Sequence, residues 1–183
     1  PTFSLESNIN KDVQSKKYLG IGDPKYYSEK NAEEKFSQLF TLRSVENADE
    51  LSKLSSLPET KFEILNSSKN FSEKEKSILL GNKATELNLR LLNLNEYKII
   101  HFATHGLVSG DFSGLRLPSL ALSYDKNSKY ELTDGLLNSI EISEFSLNAK
   151  LIILSACQTV NDAGKVNSGF SGLASSFLNS GAE

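Results

Sequence analysis

The chain has 183 residues with a formal net charge of −3; 38% of its residues are hydrophobic and 23% are charged. A chain of this length and composition can fold around a hydrophobic core, and its charge gives no electrostatic reason to expect nucleic acid or an anionic membrane as a partner. It contains no apolar stretch that approaches the roughly 20 residues needed to span a bilayer, and no signal-peptide pattern at its start.

The single cysteine excludes an internal disulfide and favours a reducing compartment, so we expect a cytoplasmic protein. One cysteine and two histidines at this spacing do not suggest a zinc site, and we expect neither a metal nor another cofactor. The chain begins at Pro1 and contains no methionine, so we interpret it as a piece of a longer protein. Residues 1–16 are polar and aperiodic, which indicates a linker or arm ahead of a domain at 17–183.

Apolar runs and capping residues predict the elements along the chain. Strands are predicted at 17–22, 97–103, 117–124 and 151–156, and helices around 31–43, at 59–66, at 85–94 and at 168–180, with a short helix or irregular segment at 136–145. Ser168 and Gly181 are the predicted N-cap and C′ residues of the last helix. The runs at 97–103 and 151–156 are nearly continuous in apolar residues, as in strands buried on both faces. The class is therefore α/β with a mostly parallel sheet.

Two of these buried strands are each followed by a reactive side chain. His105 follows the strand at 97–103, and Cys157 follows the strand at 151–156. Because parallel strands carry ligands and chemistry at their carboxyl ends, neighbouring strands would bring both side chains to one edge of the sheet. An imidazole can take the proton of a thiol and later protonate a leaving amine. The pair therefore predicts a nucleophilic cysteine with a histidine partner.

A glycine directly after the histidine adds an electrophilic element. The main-chain N–H of Gly106 can approach a substrate carbonyl closely, and together with the N–H of Cys157 it could form an oxyanion hole. His105 and Cys157 are 52 residues apart, and the corresponding separation in caspases is about 50 residues.

The sequence IHFATHG at 100–106, followed by LSACQT at 154–159, resembles the CHAT family. These are caspase-related peptidases, often attached to tetratricopeptide repeats, in the clan that also holds caspases and separase. Further segments match as well, at 18–24, 79–85, 134–142 and 169–177. The resemblance covers residues 17–183.

The resemblance implies a cysteine endopeptidase that cleaves a specific protein partner through an acyl-enzyme, in a bacterial regulatory or defence setting. Cys157 would be the nucleophile and His105 the general base or acid. The fold would be a caspase-like sheet with helices on both faces, and a tetratricopeptide-repeat region would precede Pro1. Because the family pattern continues past Gly181 and Ala182 into further strands, we expect the C-terminal strands and part of the substrate groove to be missing from this chain.

Other polar residues have less specific interpretations. We place Asp134 and Gln158 as candidate substrate-binding residues. Any one of four carboxylates could form an acidic pocket for a basic substrate side chain, although each is more often a solvated loop charge: Asp111, Glu131, Asp134 and Asp162. His101 is interpreted as a packed strand residue rather than a second catalytic or metal-binding histidine. Gly20 and Gly22 are interpreted as a strand-end turn, because Pro24 follows and no third glycine completes a nucleotide-binding pattern. The charged stretch at 69–76 is interpreted as solvated surface.

Two other functions stay open. The chain could be a catalytically silent module that keeps the caspase-like fold for binding, although the intact histidine and cysteine argue against this. It could also be a flavodoxin-like domain that binds a small molecule, which no feature of the sequence positively supports.

Overall fold

The structure, a computed structural model, describes residues 16–26, 50–111, 114–124, 133–155 and 169–183. Within these residues the main sheet has four parallel strands in the order β2-β1-β3-β7: β1 at Tyr18–Gly22, β2 at Lys76–Leu80, β3 at Ile99–Ala103 and β7 at Leu151–Leu154. The strands predicted at 17–22 and 97–103 are confirmed, and the run predicted at 151–156 contains β7 at Leu151–Leu154. The helix predicted at 31–43 and nearly all of the predicted arm at 1–16 lie outside the described residues.

A second, smaller sheet follows β3. It is antiparallel, with β4 at Gly106–Leu107, β5 at Ser119–Ala121 and β6 at Leu136–Asn138 in the order β4-β5-β6. The strand predicted at 117–124 is therefore present but shorter, and it belongs to this sheet rather than to the parallel one. The segment at 136–145, predicted as a short helix or irregular, contains β6 and then a short helix.

The described segments include the helices α1 at Pro58–Ser68, α2 at Glu86–Arg90, α3 at Ser139–Ser143 and α4 at Gly169–Asn179. Pro58 occupies the first turn of α1, where its missing N–H has no consequence. The Thr85 hydroxyl caps α2 by accepting the N–H of Asn88. The apolar pattern at 85–94 predicts a longer helix than α2, which ends at Arg90.

The last helix ends as its sequence predicts. Gly181 has a φ of 103°, its N–H donates to the carbonyl of Leu178, and the N–H of Ala182 donates to the carbonyl of Phe177. This pair of bonds is a Schellman motif, and it satisfies carbonyls that the helix end would otherwise leave free. The prediction of Gly181 as the C′ residue is confirmed, whereas Ser168 lies outside the described residues.

Helices cover both faces of the parallel sheet. On one face the alternate residues of β1 and β3 point into the main core, where Phe102 contacts Phe177 of α4 at a ring-centroid distance of 5.5 Å. On the other face α1 packs over β1 and β3. The architecture is the caspase-like α/β arrangement that the sequence predicts.

The glycines of β1 allow α1 to lie against the bare backbone of the strand. A Cβ atom built on Gly20 would come within 2.6 Å of Ile64 Cγ2, and one built on Gly22 within 2.9 Å of Ile64 Cγ1. Both glycines lie within β1 and have no positive φ. Their role is therefore close packing against α1, and the interpretation as a strand-end turn is wrong for Gly20 and covers only the terminal position of Gly22.

Candidate active site

The parallel strands β3 and β7 are neighbours and end at the same edge. Their register pairs Phe102 with Leu154, and the N–H of Ser155 donates to the carbonyl of Phe102 at 2.8 Å. From this edge the polypeptide continues from β3 to His105, and from β7 into the segment that contains Cys157. Cys157 and Gln158 themselves lie outside the described residues.

The His105 side chain is held from one side by main chain. It is 5% exposed, and its Nε2 lies 2.8 Å from the carbonyl oxygen of Ser55. Because a carbonyl only accepts, Nε2 must carry a hydrogen and donate it. In the neutral ring Nδ1 then has a free lone pair. Nδ1 is buried and has no hydrogen-bond partner among the residues that the structure describes, so the ring presents an unused base.

Tyr26 lies beside this imidazole. The two ring centroids are 5.7 Å apart, and the Tyr26 hydroxyl lies 3.1 Å from Thr104 Oγ1 and 3.3 Å from the carbonyl oxygen of Ala121. Burial raises the pKa of Tyr26 to about 12, against the opposing effect of the hydrogen bond with Thr104. The phenol therefore stays protonated, and its ring forms a fixed wall next to His105.

The register of the small sheet sets the direction of the Gly106 N–H. The N–H of Ala121 donates to the carbonyl of His105 at 2.9 Å, and Gly106 pairs with Leu120. In an antiparallel ladder the residue next to a hydrogen-bonded position directs its own N–H away from the partner strand. The Gly106 N–H therefore points away from β5 and is not used in the β4–β5 ladder.

A family model described as the CHAT domain matches residues 2–183. The chain belongs to the CHAT family. This family is caspase-like and related to peptidases, and the parallel sheet with flanking helices is the fold expected of it. The comparison with curated proteins found no match.

Two of the predicted carboxylates accept hydrogen bonds from main-chain N–H groups close to them in the sequence. Asp134 accepts the N–H of Leu136 at 2.9 Å in the turn before β6, and Asp111 accepts the N–H of Val108 at 2.8 Å. Both bonds shape turns. Glu131 and Asp162 lie outside the described residues, and the assignment of Asp134 and Gln158 to substrate binding stays a prediction.

His101, the other histidine of the CHAT domain, is a buried strand residue, 2% exposed, as its position in β3 predicts. It is also hydrogen-bonded at both ring nitrogens. Nδ1 lies 3.0 Å from the Tyr18 hydroxyl, and Nε2 lies 3.2 Å from Glu63 Oε1 and 3.1 Å from Ser155 Oγ. These partners come from distant parts of the chain, so the sequence gives no local signal for the network.

A second buried polar cluster supports the turn before β6. Glu86, whose side chain is fully buried, accepts the N–H of Gly135 at 2.7 Å, and its other oxygen lies 3.9 Å from Arg90, which donates to Glu141 at 2.9 Å. Burial raises the pKa of Glu86 well above its usual range, and the neighbouring carboxylates of Glu141 and Asp134 raise it further. Burial therefore favours the protonated form of this carboxyl, whose contacts are structural.

In the described ranges, no group of three or more His, Cys, Asp or Glu side chains could hold a metal ion. Nor does any helix of those ranges have the length and apolar character needed to cross a membrane.

Proposed function

We propose that this CHAT domain is a cysteine endopeptidase in which Cys157 is the nucleophile and His105 its general base. The observation that carries the proposal is the state of the His105 ring. Its Nε2–H is fixed on the Ser55 carbonyl, which leaves a buried Nδ1 with no partner in the described part of the chain, at the edge where β7 leads toward Cys157.

The covalent chain limits how far the thiol can be from this edge. Cys157 follows Ser155 by two residues, so their Cα atoms are at most about 7 Å apart. Ser155 is itself bonded to the end of β3, the strand that leads to His105. The reach of the chain is therefore compatible with a thiol next to the imidazole.

In this proposal Nδ1 of His105 takes the proton of the Cys157 thiol, and the thiolate attacks the carbonyl carbon of the scissile peptide bond. The oxygen of the tetrahedral intermediate accepts hydrogen bonds from the N–H groups of Gly106 and Cys157, and one such donor typically contributes about 3–4 kcal/mol. The imidazolium then protonates the leaving amine. Water hydrolyses the acyl-enzyme, with His105 again accepting a proton.

The family also motivates the wider setting that we propose. The substrate would be a specific protein partner, with Asp134 and Gln158 among the residues that contact it. The protein would act in the cytoplasm of a bacterium, in regulation or defence, and a tetratricopeptide-repeat region would recruit the substrate.

The test is labelling of the full-length protein by a thiol-reactive peptide probe, together with cleavage-site profiling. Cys157 is the only cysteine of this chain, so loss of its label in Cys157→Ala identifies the site. In His105→Ala we expect the labelling rate to fall by about 100-fold or more, because a positioned base contributes about that factor.

Ser55→Ala is the matched control, since it keeps the carbonyl that holds His105 and should label at the wild-type rate. Equal labelling of the wild type and His105→Ala would refute the proposal. It would favour the alternative, a catalytically silent binding module.

A further inference from the structure

We propose that His101 is a positioning residue for Cys157, acting through Ser155 at the end of β7. The inference rests on the proposed function, because it assigns a second histidine to the same reaction. His101 lies inside β3, and its ring connects three other elements of the fold: β1 through Tyr18, α1 through Glu63, and the carboxyl end of β7 through Ser155.

The partners of His101 determine the hydrogens on its ring. A carboxylate only accepts, so Nε2 must carry a hydrogen in order to face Glu63. Burial lowers the pKa of His101 despite the opposing charge of Glu63, so Nδ1 is unprotonated and accepts the hydrogen of the Tyr18 hydroxyl. Burial also raises the pKa of Tyr18 to about 12, which keeps this hydroxyl a donor.

The single Nε2–H therefore points at two acceptors, Glu63 Oε1 and Ser155 Oγ. Ser155 is held by its side chain through this hydrogen and by its main chain through the bond to Phe102. A residue fixed at both places is a firm starting point for the two following residues. The second of these is Cys157.

The part of the chain that contains Glu63 also contacts His105, the other residue of the proposed dyad. Ser55, just before α1, holds His105 with its carbonyl, and Glu63 within α1 holds His101 with its carboxylate. Ile64 seats the helix directly on the backbone of β1. His105 and Ser155 are thus both held, Ser155 through His101, by contacts from the single stretch of chain between Ser55 and Glu63.

Ser155→Ala tests the inference, because it removes the contact at Ser155 and leaves the His101–Glu63 pair in place. Ser77→Ala is a matched control. It removes the hydrogen bond of 2.8 Å from the Tyr97 hydroxyl, on β2 of the same sheet, and so loses an equivalent contact away from the site. Ser155→Thr keeps a hydroxyl at the position and serves as the rescue variant.

Three quantities are measured on the full-length protein: the melting temperature, the rate of labelling by the peptide probe, and the pH dependence of alkylation by iodoacetamide. In Ser155→Ala we expect labelling to fall about 10- to 100-fold, because a misplacement of about 1 Å can have that effect. The midpoint of the alkylation profile should move up toward about 8.5, the value of a free cysteine. Ser155→Thr should recover much of the rate, and Ser77→Ala should leave both properties unchanged.

A purely structural role for the network predicts a different result. Ser155→Ala would then lower the melting temperature as Ser77→Ala does, with a wild-type labelling rate and an unchanged alkylation profile, and this outcome would overturn the inference while the proposed function stands. Labelling of the wild type that is independent of His105 would instead overturn the proposed function and this inference with it.

Discussion

Substitution of Gly20 by alanine tests the close packing of α1 on β1. The new Cβ would lie 2.6 Å from Ile64 Cγ2 and 2.8 Å from Tyr18 Cε1, whereas carbon atoms normally approach to about 3.5–4.0 Å. Ile64 is fully buried and β1 is hydrogen-bonded to strands on both sides, so neither can move freely. The helix would have to shift by about 1 Å, and overpacking of this kind typically destabilises a protein by about 1–3 kcal/mol.

The assay is urea unfolding of a double-mutant cycle with Ile64→Ala. That substitution alone should cost about 2–5 kcal/mol, because it leaves a cavity, but it also removes Ile64 Cγ2, the nearer of the two atoms against which the new methyl group clashes. Gly20→Ala should therefore cost much less in the Ile64→Ala background, giving a coupling energy of about 1 kcal/mol or more.

Gly172→Ala is the control, since it adds the same methyl group in α4, where the nearest atom, Pro118 Cγ, is 3.1 Å away and alanine is the better helix former. We expect its free energy of unfolding to lie within about 1 kcal/mol of the wild type. Additive effects of Gly20→Ala and Ile64→Ala would refute the packing argument.

Three further substitutions have definite expected outcomes. Burial raises the pKa of Glu86 above 4.5, so the folded state holds this proton more tightly than the unfolded state. The wild type therefore loses stability as the pH rises past that value. Because glutamine does not titrate, Glu86→Gln should gain stability relative to the wild type with rising pH, measured by urea unfolding at several pH values. Gly181→Ala should lower the free energy of unfolding by about 1–3 kcal/mol in the same assay, because φ is 103° and the new Cβ would lie 2.6 Å from the carbonyl oxygen of Leu147; a stability equal to the wild type would contradict this. Tyr26→Phe should cost about 1 kcal/mol by loss of the hydroxyl contacts, and an unchanged denaturation midpoint would show that they contribute nothing.

The elements that the sequence predicts correctly are those whose signal is local. β3 and β7 are continuous apolar runs, α4 has a regular apolar face, and Gly181 ends it at the expected place. By contrast β2 was not predicted. Its sequence KSILL begins with the last residue of the charged stretch at 69–76, and all five of its residues are only partly buried, so the apolar signal is short.

The candidate site likewise combines residues that the sequence predicts with contacts that it does not. His105 and Gly106 are predicted by their position after a buried strand, and the structure describes both there. The contacts around them come from far along the chain: Ser55 is 50 residues before His105, and Glu63 is 38 residues before His101. Such pairings depend on how α1 docks on the sheet, which no local pattern encodes.

The contact that fixes the proposed base is made by a carbonyl rather than by a side chain. Every amino acid, proline included, carries that carbonyl, so position 55 can vary in identity without disturbing the tautomer of the imidazole. The physical requirement at this point is on the path of the backbone. A search among relatives for an acidic or amide side chain that orients the histidine would therefore look for the wrong kind of group. Superposition of main-chain oxygens is the comparison that would find the orienting carbonyl.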